Sequence, residues 1–284
     1  MADTLRLDTI DFAAYLRATD VAVKVHPASS YLTELTETFA ERAPRDHKPE
    51  MFSTKLRGLI EFRPAEVTAW AGYSGHRKSM FVGQVGLDLC VQREKVLVMS
   101  MEMLPQETLA RMARQTAGVA RPSETLLRAF SAWSDGRLWM FDHMGRIEPA
   151  QCLAVCRYFA AELGGQQVVI DSMMMVCKSE ESSDEQKQFV TDLVRMGKET
   201  GLHVHLIAHC RKPADGGEDR RPTKYSVRGT AAITDQADNV VMVWANKAKV
   251  AKLEKNQHDT DAQADPDAVV TVDKQRNGAW EGSV

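Results

Sequence analysis

Several things are scarce in this chain of 284 residues. No apolar run approaches the ~20 residues that a membrane-spanning helix needs. The first residues, MADTLRLDTIDF, are polar and acidic, which is not the basic-then-apolar layout of a secretory signal. Neither sign of charge is in large excess: 36 Lys and Arg stand against 39 Asp and Glu, a formal net charge of −3. A cationic surface over the whole molecule is excluded, so any nucleic-acid binding must come from a local basic patch. Cysteines are few, odd in number and irregularly placed, at Cys90, Cys152, Cys156, Cys177 and Cys210. That pattern argues against a disulfide framework and fits reduced thiols. Cys152 and Cys156 lie four apart on an expected helix with no second pair, and read as small buried hydrophobes. Repeats and long low-complexity tracts are missing. With 44% hydrophobic and 26% charged residues, the composition is that of a globular protein, expected to be soluble and cytoplasmic.

Residues 1–50 read differently from the remainder. Two short helical patterns (Phe12, Tyr15, Leu16, then Leu32, Leu35, Phe39) precede a polar stretch over 41–50 with two prolines. The expectation is an N-terminal helical arm and linker, followed by one large domain over 51–284. In that domain strands are expected at 66–71, 95–101, 137–141, 167–171, 203–208, 240–245 and 269–273. Helices are expected from Ser79, from Pro105 at a favoured first-turn position, and over 150–163. A fourth helix is opened by a Ser183/Gln186 capping box and stopped by Gly201. Strands alternating with helices predict an α/β fold with a mostly parallel sheet. Functional residues of such sheets gather at the carboxyl ends of the strands.

One segment between an expected strand and an expected helix, Gly72-Tyr73-Ser74-Gly75-His76-Arg77-Lys78-Ser79, fits the pattern G-x-x-x-x-G-K-S/T at every defined position except Arg77. Small residues let backbone N–H groups approach phosphate oxygens. The lysine neutralises β and γ charge, the hydroxyl ligates Mg²⁺, and the helix start adds its positive dipole end. Arg77 stands where glycine is asked for. A non-glycine residue in a strained conformation costs about 1–3 kcal/mol, although an arginine there could add a phosphate contact. The bland reading is a strand–helix turn that binds nothing. Asp171 ends an apolar strand, where a carboxylate organising Mg²⁺ belongs; the alternative is a helix cap. Glu102 follows the strand KVLVMSM, placed to polarise an attacking water; the alternative is an exposed strand-end glutamate. The three features in this order favour a nucleotide site.

The string Ser100-Met101-Glu102-Met103, with Arg111 downstream, resembles the S-L-E-M segment of DnaB-like replicative helicases. Asp171 resembles their Walker B aspartate. Residues 203–212 (HVHLIAHCRK) resemble the strand carrying the γ-phosphate-sensing His or Gln, in the form seen in short-tailed phage and mitochondrial Twinkle helicases. Residues 228–233 (RGTAAI) with 236–241 (QADNVV), and 274–278 (KQRNG), resemble two further family segments. The resemblance runs from about residue 51 to 284 and leaves out the first fifty residues, with no primase domain seen. It implies a RecA-like core, a homo-oligomeric ring, usually a hexamer, and ATP-driven travel on single-stranded DNA with ATP and Mg²⁺. A primase or helicase loader is an implied further partner. On this resemblance Gly72 to Ser79 bind nucleotide, Ser79 and Asp171 hold Mg²⁺, Glu102 is the catalytic base and His209 senses the γ-phosphate. Arg276, helped by Lys274, is the finger reaching a neighbouring subunit's nucleotide. The sequence ends at Val284, six residues after Gly278, within the family's final strand, which reads as a truncation.

Two polar loops follow strand ends, at 178–187 and 211–224. The second holds Arg211, Lys212, Arg220, Arg221 and Lys224 and is the expected DNA-tracking loop; the alternative is a solvated flexible loop. The first is acidic and less is expected of it. Neither shows an aromatic stacking platform, and Trp70 and Trp244 read as core. His203, His205 and His209 alternate along one strand region, but no carboxylate or cysteine completes a metal set. The rival readings are a nucleotide-binding module with little turnover, acting as an assembly or loading partner, and a recombinase-type ATPase.

Overall fold

The computed structural model describes residues 4–5, 49–177, 183–213 and 217–284. The helical patterns expected near the N-terminus, and Glu180 and Glu181 of the acidic loop, lie outside the described residues. The elements run β1 Thr4–Leu5, β2 Val67–Gly72, α1 Lys78–Val91, β3 Val96–Ser100, α2 Pro105–Ala117, α3 Glu124–Ser134, β4 Leu138–Phe141, α4 Pro149–Leu163 and β5 Gln167–Asp171. They continue with α5 Ser183–Thr200, β6 His203–His209, α6 Ala232–Gln236, β7 Asn239–Ala245, α7 Lys247–Lys255, α8 Thr260–Ala264, β8 Ala268–Gln275 and β9 Gly282–Ser283.

Among the described residues the strands form one nine-stranded sheet ordered β1-β4-β3-β5-β6-β2-β7-β8-β9. Pairings from β1 to β7 are parallel, whereas β7/β8 and β8/β9 are antiparallel. Strands β2 to β5 are buried along their whole length, as expected of parallel strands covered on both faces. Successive side chains point to opposite faces, so Val67, Ala69 and Ala71 join one core with Leu153 and Phe159 of α4 and Phe189 and Leu193 of α5. Trp70 enters the other core, against Val82, Val85 and Leu89 of α1 and Met51, Ile60 and Phe62.

The central strand β2 is fixed by polar groups as well as by the ladder. Asp238 accepts the Val67 N–H through Oδ2 at 2.9 Å, and Asn239 donates to Glu66 and to the Thr68 hydroxyl, each at 3.1 Å. His203 and His205 complete this network. The Trp70 indole donates to His205 Nδ1 at 3.1 Å, so His205 Nε2 carries the proton and donates to Gln167 Oε1 at 3.1 Å. His203 Nδ1 donates to the Arg63 carbonyl, leaving Nε2 to accept from Thr68. All four ring nitrogens are engaged. Burial pushes His203 down to about 4 and His205 well below its usual range, so both are neutral core residues. Among the described residues no group of three or more His, Cys, Asp or Glu is placed to hold a metal.

Several expectations shift. Residues 183–187, the end of the expected acidic loop, form the start of α5, where the Ser183/Gln186 capping signal placed a helix; Ser183, Asp184 and Lys187 are exposed, whereas Gln186 is buried and accepts the Thr230 N–H. Helices α3 and α7 were not expected. The first is opened by Ser123, which accepts the Leu126 N–H, and the second by Asn246, which accepts the Lys249 N–H. Strand β8 extends to Gln275 and takes in Lys274. Both Trp70 and Trp244 are buried. The five cysteines are free and buried. No described helix is long and apolar enough to cross a membrane.

Candidate nucleotide and nucleic-acid site

Strand β2 runs directly into the loop that ends at α1. Its last residue, Gly72, lies so close to β7 that an added Cβ would sit 2.2 Å from the Val243 carbonyl oxygen; only glycine fits. Gly75 and Arg77 take left-handed backbone angles, φ 74° and φ 62°. Arg77 is therefore a side-chain-bearing residue in the conformation for which the motif uses glycine. It immediately precedes α1, and its carbonyl accepts the Phe81 N–H at 2.9 Å. Its side chain is exposed.

Lys78 is buried and directs its donors inside the site: to the Gly72 carbonyl at 3.0 Å, the Tyr73 carbonyl at 2.9 Å and His209 Nδ1 at 3.2 Å. Burial lowers its pKa from the ordinary lysine range. His209, at the end of β6, faces Glu102 on its other side, with Nε2 3.9 Å from Oε1. Glu102 also accepts the Ser172 hydroxyl at 2.7 Å. The facing His209 imidazole, then the hydrogen bond from Ser172, hold the Glu102 carboxyl below its usual range against the opposing effect of burial. Register explains the meeting: Ser100 pairs with Asp171 across β3 and β5, so Glu102 lies just beyond the strand ends, beside Ser172. Asp171 accepts a hydrogen bond from Ser79, yet burial still raises its pKa. The Thr108 hydroxyl is buried without a partner and lines a small void with Ser79, Ser100, Arg111 and Asp171.

The expected Lys78, Ser79, Glu102, Asp171 and His209 thus converge at the carboxyl ends of β2, β3, β5 and β6. A lysine whose donors can exchange carbonyl for phosphate oxygens, a half-buried hydroxyl bonded to a buried carboxylate, and an ionised Glu102 suit a nucleoside triphosphate with a divalent cation. A cleft of about 740 Å³ opens beside them, lined by Ser74, Met174, His209, Cys210, Arg211, Lys212 and Arg228.

The outer wall of the loop joins His76, expected among the nucleotide-binding residues but committed through both ring nitrogens to protein groups, to Glu218 and Lys247, which the sequence did not single out. His76 is buried; its Nδ1 accepts the Ala245 N–H at 3.1 Å, so Nε2 donates to Glu218 at 3.2 Å. Burial is the main cause that lowers the His76 pKa, opposed by Glu218. Glu218 also meets Lys247 at 3.0 Å and Lys212 at 3.7 Å, and its carbonyl accepts the Trp244 indole at 2.9 Å.

The basic loop leaves β6 and returns as a closed excursion: Arg211 N–H donates to the Ser226 carbonyl and Arg228 N–H to the His209 carbonyl. Arg221 stacks over Trp244, 5.8 Å from the ring centroid. The Lys224 N–H donates to the Asp273 carboxylate at 2.6 Å. Arg211, Lys224 and Lys274 line a second cleft of about 490 Å³. Beside it Tyr225, one residue past the expected loop, is 86% exposed. Its signal was a lone tyrosine at the end of a basic run. Arg220 is exposed on the same loop.

Arg276 and Lys274 lie elsewhere. Asn239 pairs with Thr68 in β2 and with Gln275 in β8, which puts both residues near the start of β2, at the sheet end opposite the phosphate loop. Arg276 pairs with Asp238 at 3.0 Å and is 44% exposed. Lys274 donates to the Thr234, Asp235 and Ala237 carbonyls at 2.7–2.9 Å, closing the carboxyl end of α6. The chain does not bring its own finger candidates to its own Lys78.

The family model for the DnaB-like helicase C-terminal domain matches residues 53–283. The chain is 22% identical to the replicative DNA helicase DnaB of Geobacillus stearothermophilus over 246 residues, 81% of this chain and 52% of that protein. It is 22% identical to the replicative DNA helicase DnaC of Bacillus subtilis (strain 168) over 200 residues, 65% of this chain and 42% of that protein. It therefore spans about half the length of the curated relatives it matches. Among solved structures it is similar to an ATPase domain (TM-score 0.63, 18% identity, 78% of this chain and 81% of that one). It is also similar to a DnaB-like replicative helicase studied with its primase interactions (TM-score 0.70, 16% identity, 91% of this chain and 65% of that one). These likenesses share the RecA-like fold of ATPase domains.

Proposed function

Since the chain belongs to the DnaB-like helicase C-terminal domain family, we propose that it hydrolyses ATP with Mg²⁺ and uses the cycle to move along single-stranded DNA as a ring of like chains. The observation that carries this reading is the continuous Lys78–His209–Glu102–Ser172 contact chain beside the Ser79–Asp171 pair. A binding module without turnover has no physical need for it.

When bound, Mg²⁺ would offset phosphate charge between Ser79 and Asp171. Lys78 would exchange the Gly72 and Tyr73 carbonyls for β- and γ-phosphate oxygens. Glu102, kept ionised by His209 and Ser172, would accept the proton of the attacking water. His209 touches both Lys78 and Glu102, so it can relay the state of the terminal phosphate to the basic loop that begins two residues later. Arg211, Lys212, Arg220, Arg221 and Lys224 would follow the DNA backbone, and the exposed Tyr225 ring, which carries the Lys224 ammonium over its face, would exchange it for a base.

Arg276, with Lys274 beside it, would complete the site of a neighbouring chain. Its place at the sheet end opposite the phosphate loop suits a head-to-tail contact, in which one chain's far end meets the next chain's Lys78. The Arg276–Asp238 pair must then exchange partners. A hexamer, a primase or loader as further partner, and a cytoplasmic setting belong to the same reading. The second reading, nucleotide binding with little turnover, is favoured by one observation, the left-handed Arg77.

Steady-state ATP hydrolysis with and without single-stranded DNA, for this chain and for Lys78→Ala, tests the proposal. DNA-stimulated turnover that Lys78→Ala abolishes is the expected result. Nucleotide binding with no turnover, in a chain shown by light scattering to form rings, would sink the motor reading.

A further inference from the structure

Lys247 heads α7, at the turn where β7 ends, and its ammonium hangs over the middle of the phosphate loop. Its Nζ is 3.4 Å from the Ser74 carbonyl oxygen and 3.4 Å from where a Cβ on Gly75 would lie. Ser74 lines the same cleft as His209, so this side of the loop faces the groups that read the terminal phosphate. A single carboxylate, Glu218, serves Lys247 at 3.0 Å, His76 at 3.2 Å and Lys212 at 3.7 Å. Two lysines on one carboxylate leave cationic charge in excess at the cleft mouth. The Lys247 side chain is half exposed, so it can change partner without unpacking the core. An incoming phosphate oxygen offers it the same charge-assisted bond that Glu218 supplies.

We propose that Lys247 is a second phosphate-binding cation in cis, held by Glu218 over the loop and transferred to the terminal phosphate of a bound nucleoside triphosphate. Lys78 serves the triphosphate and the diphosphate alike, since it reaches β- as well as γ-oxygens. Lys247, on the His209 side, discriminates between them. The inference rests on the reading of residues 72–79 as a phosphate loop and adds to it the residue that favours triphosphate.

The test measures displacement of a fluorescent nucleotide from the full chain, with Mg²⁺, by the β,γ-imido analogue of ATP and by ADP. Loss of one charge-assisted bond predicts that Lys247→Ala weakens the triphosphate analogue by about ten- to a hundredfold and ADP by less than about threefold. Lys247→Arg should retain most of the preference. Glu218→Gln removes the competing carboxylate charge and should shift the ratio the other way, towards triphosphate. An unchanged triphosphate affinity in Lys247→Ala, or an equal loss for both nucleotides, overturns the proposal. Lys78→Ala keeps the two readings apart. If it loses nucleotide while Lys247→Ala does not, only the Lys247 assignment falls; if Lys78→Ala binds normally, the phosphate-loop reading falls with it.

Discussion

Arg77→Gly isolates the departure that sets this phosphate loop apart from its motif. Arg77 sits at φ 62°, ψ 24°, where a side-chain-bearing L-residue loses about 1–2 kcal/mol to the clash of Cβ with its own backbone. Glycine removes that clash but returns about 0.4–1 kcal/mol of unfolded-state freedom. The balance is a gain of about 1 kcal/mol, or roughly 3 °C in Tm for a chain of this size. Arg77→Ala is the control, because it deletes the guanidinium and keeps the Cβ. Thermal unfolding followed by circular dichroism should place Arg77→Gly above both the parent and Arg77→Ala. Nucleotide affinity separates a second effect. If the exposed guanidinium touches phosphate, both substitutions weaken ATP binding equally, whatever their stabilities. A glycine variant that melts no higher than the alanine variant would refute the strain argument, because the two differ at this position only in the Cβ.

Three further outcomes follow from the site and the core. Glu102→Gln should keep nucleotide affinity while turnover falls by about 10²–10⁴-fold; rapid hydrolysis in the variant would remove Glu102 from the role of base. Asp171 has its folded-state pKa raised by burial, so it binds its proton more tightly folded than unfolded and its ionised form weakens the fold at neutral pH. Asp171→Asn should therefore be the more stable protein at pH 7, by urea unfolding, with its advantage vanishing as pH falls through the aspartate range; an advantage that grows on acidification would contradict the sign. For His203 the folded pKa of about 4 lies below the ordinary 6.5. Its contribution is full above pH 6.5 and is lost as pH falls from there towards 4; a stability profile flat across that window would show that His203 is not held neutral.

The phosphate loop was legible because its chemistry makes consecutive demands: small residues, a lysine, a hydroxyl, then a helix. Asp171 and Glu102 were legible because each ends an apolar strand, and parallel strands deliver their ends to one edge. Glu218 and Lys247 were not, because what matters about them is pairwise and distant: Glu218 meets His76 across 142 residues. The same holds for the core histidines, whose partners Thr68, Trp70 and Gln167 come from two other strands. Helix α3 was passed over although Leu126, Leu127, Phe130 and Trp133 recur at helical spacing and Ser123 caps it; these side chains stay largely on the surface. The end of the acidic loop is hard to read because the capping signal at Ser183 lies inside a run of charge that also suits a loop.

The sheet order has a consequence in time. Strand β2 carries the phosphate loop, yet its neighbours β6 and β7 come far later in the chain, and Val67 waits for Asp238 across 171 residues. At a ribosomal rate of about 5–20 residues per second, that interval lasts on the order of ten to thirty seconds. Until β6 is made, for most of that interval, the strand VTAWAG has neither edge paired, a segment as fit to join a stranger's sheet as its own. The nucleotide site thus has no half-built form: it is complete only when the second flanking strand docks.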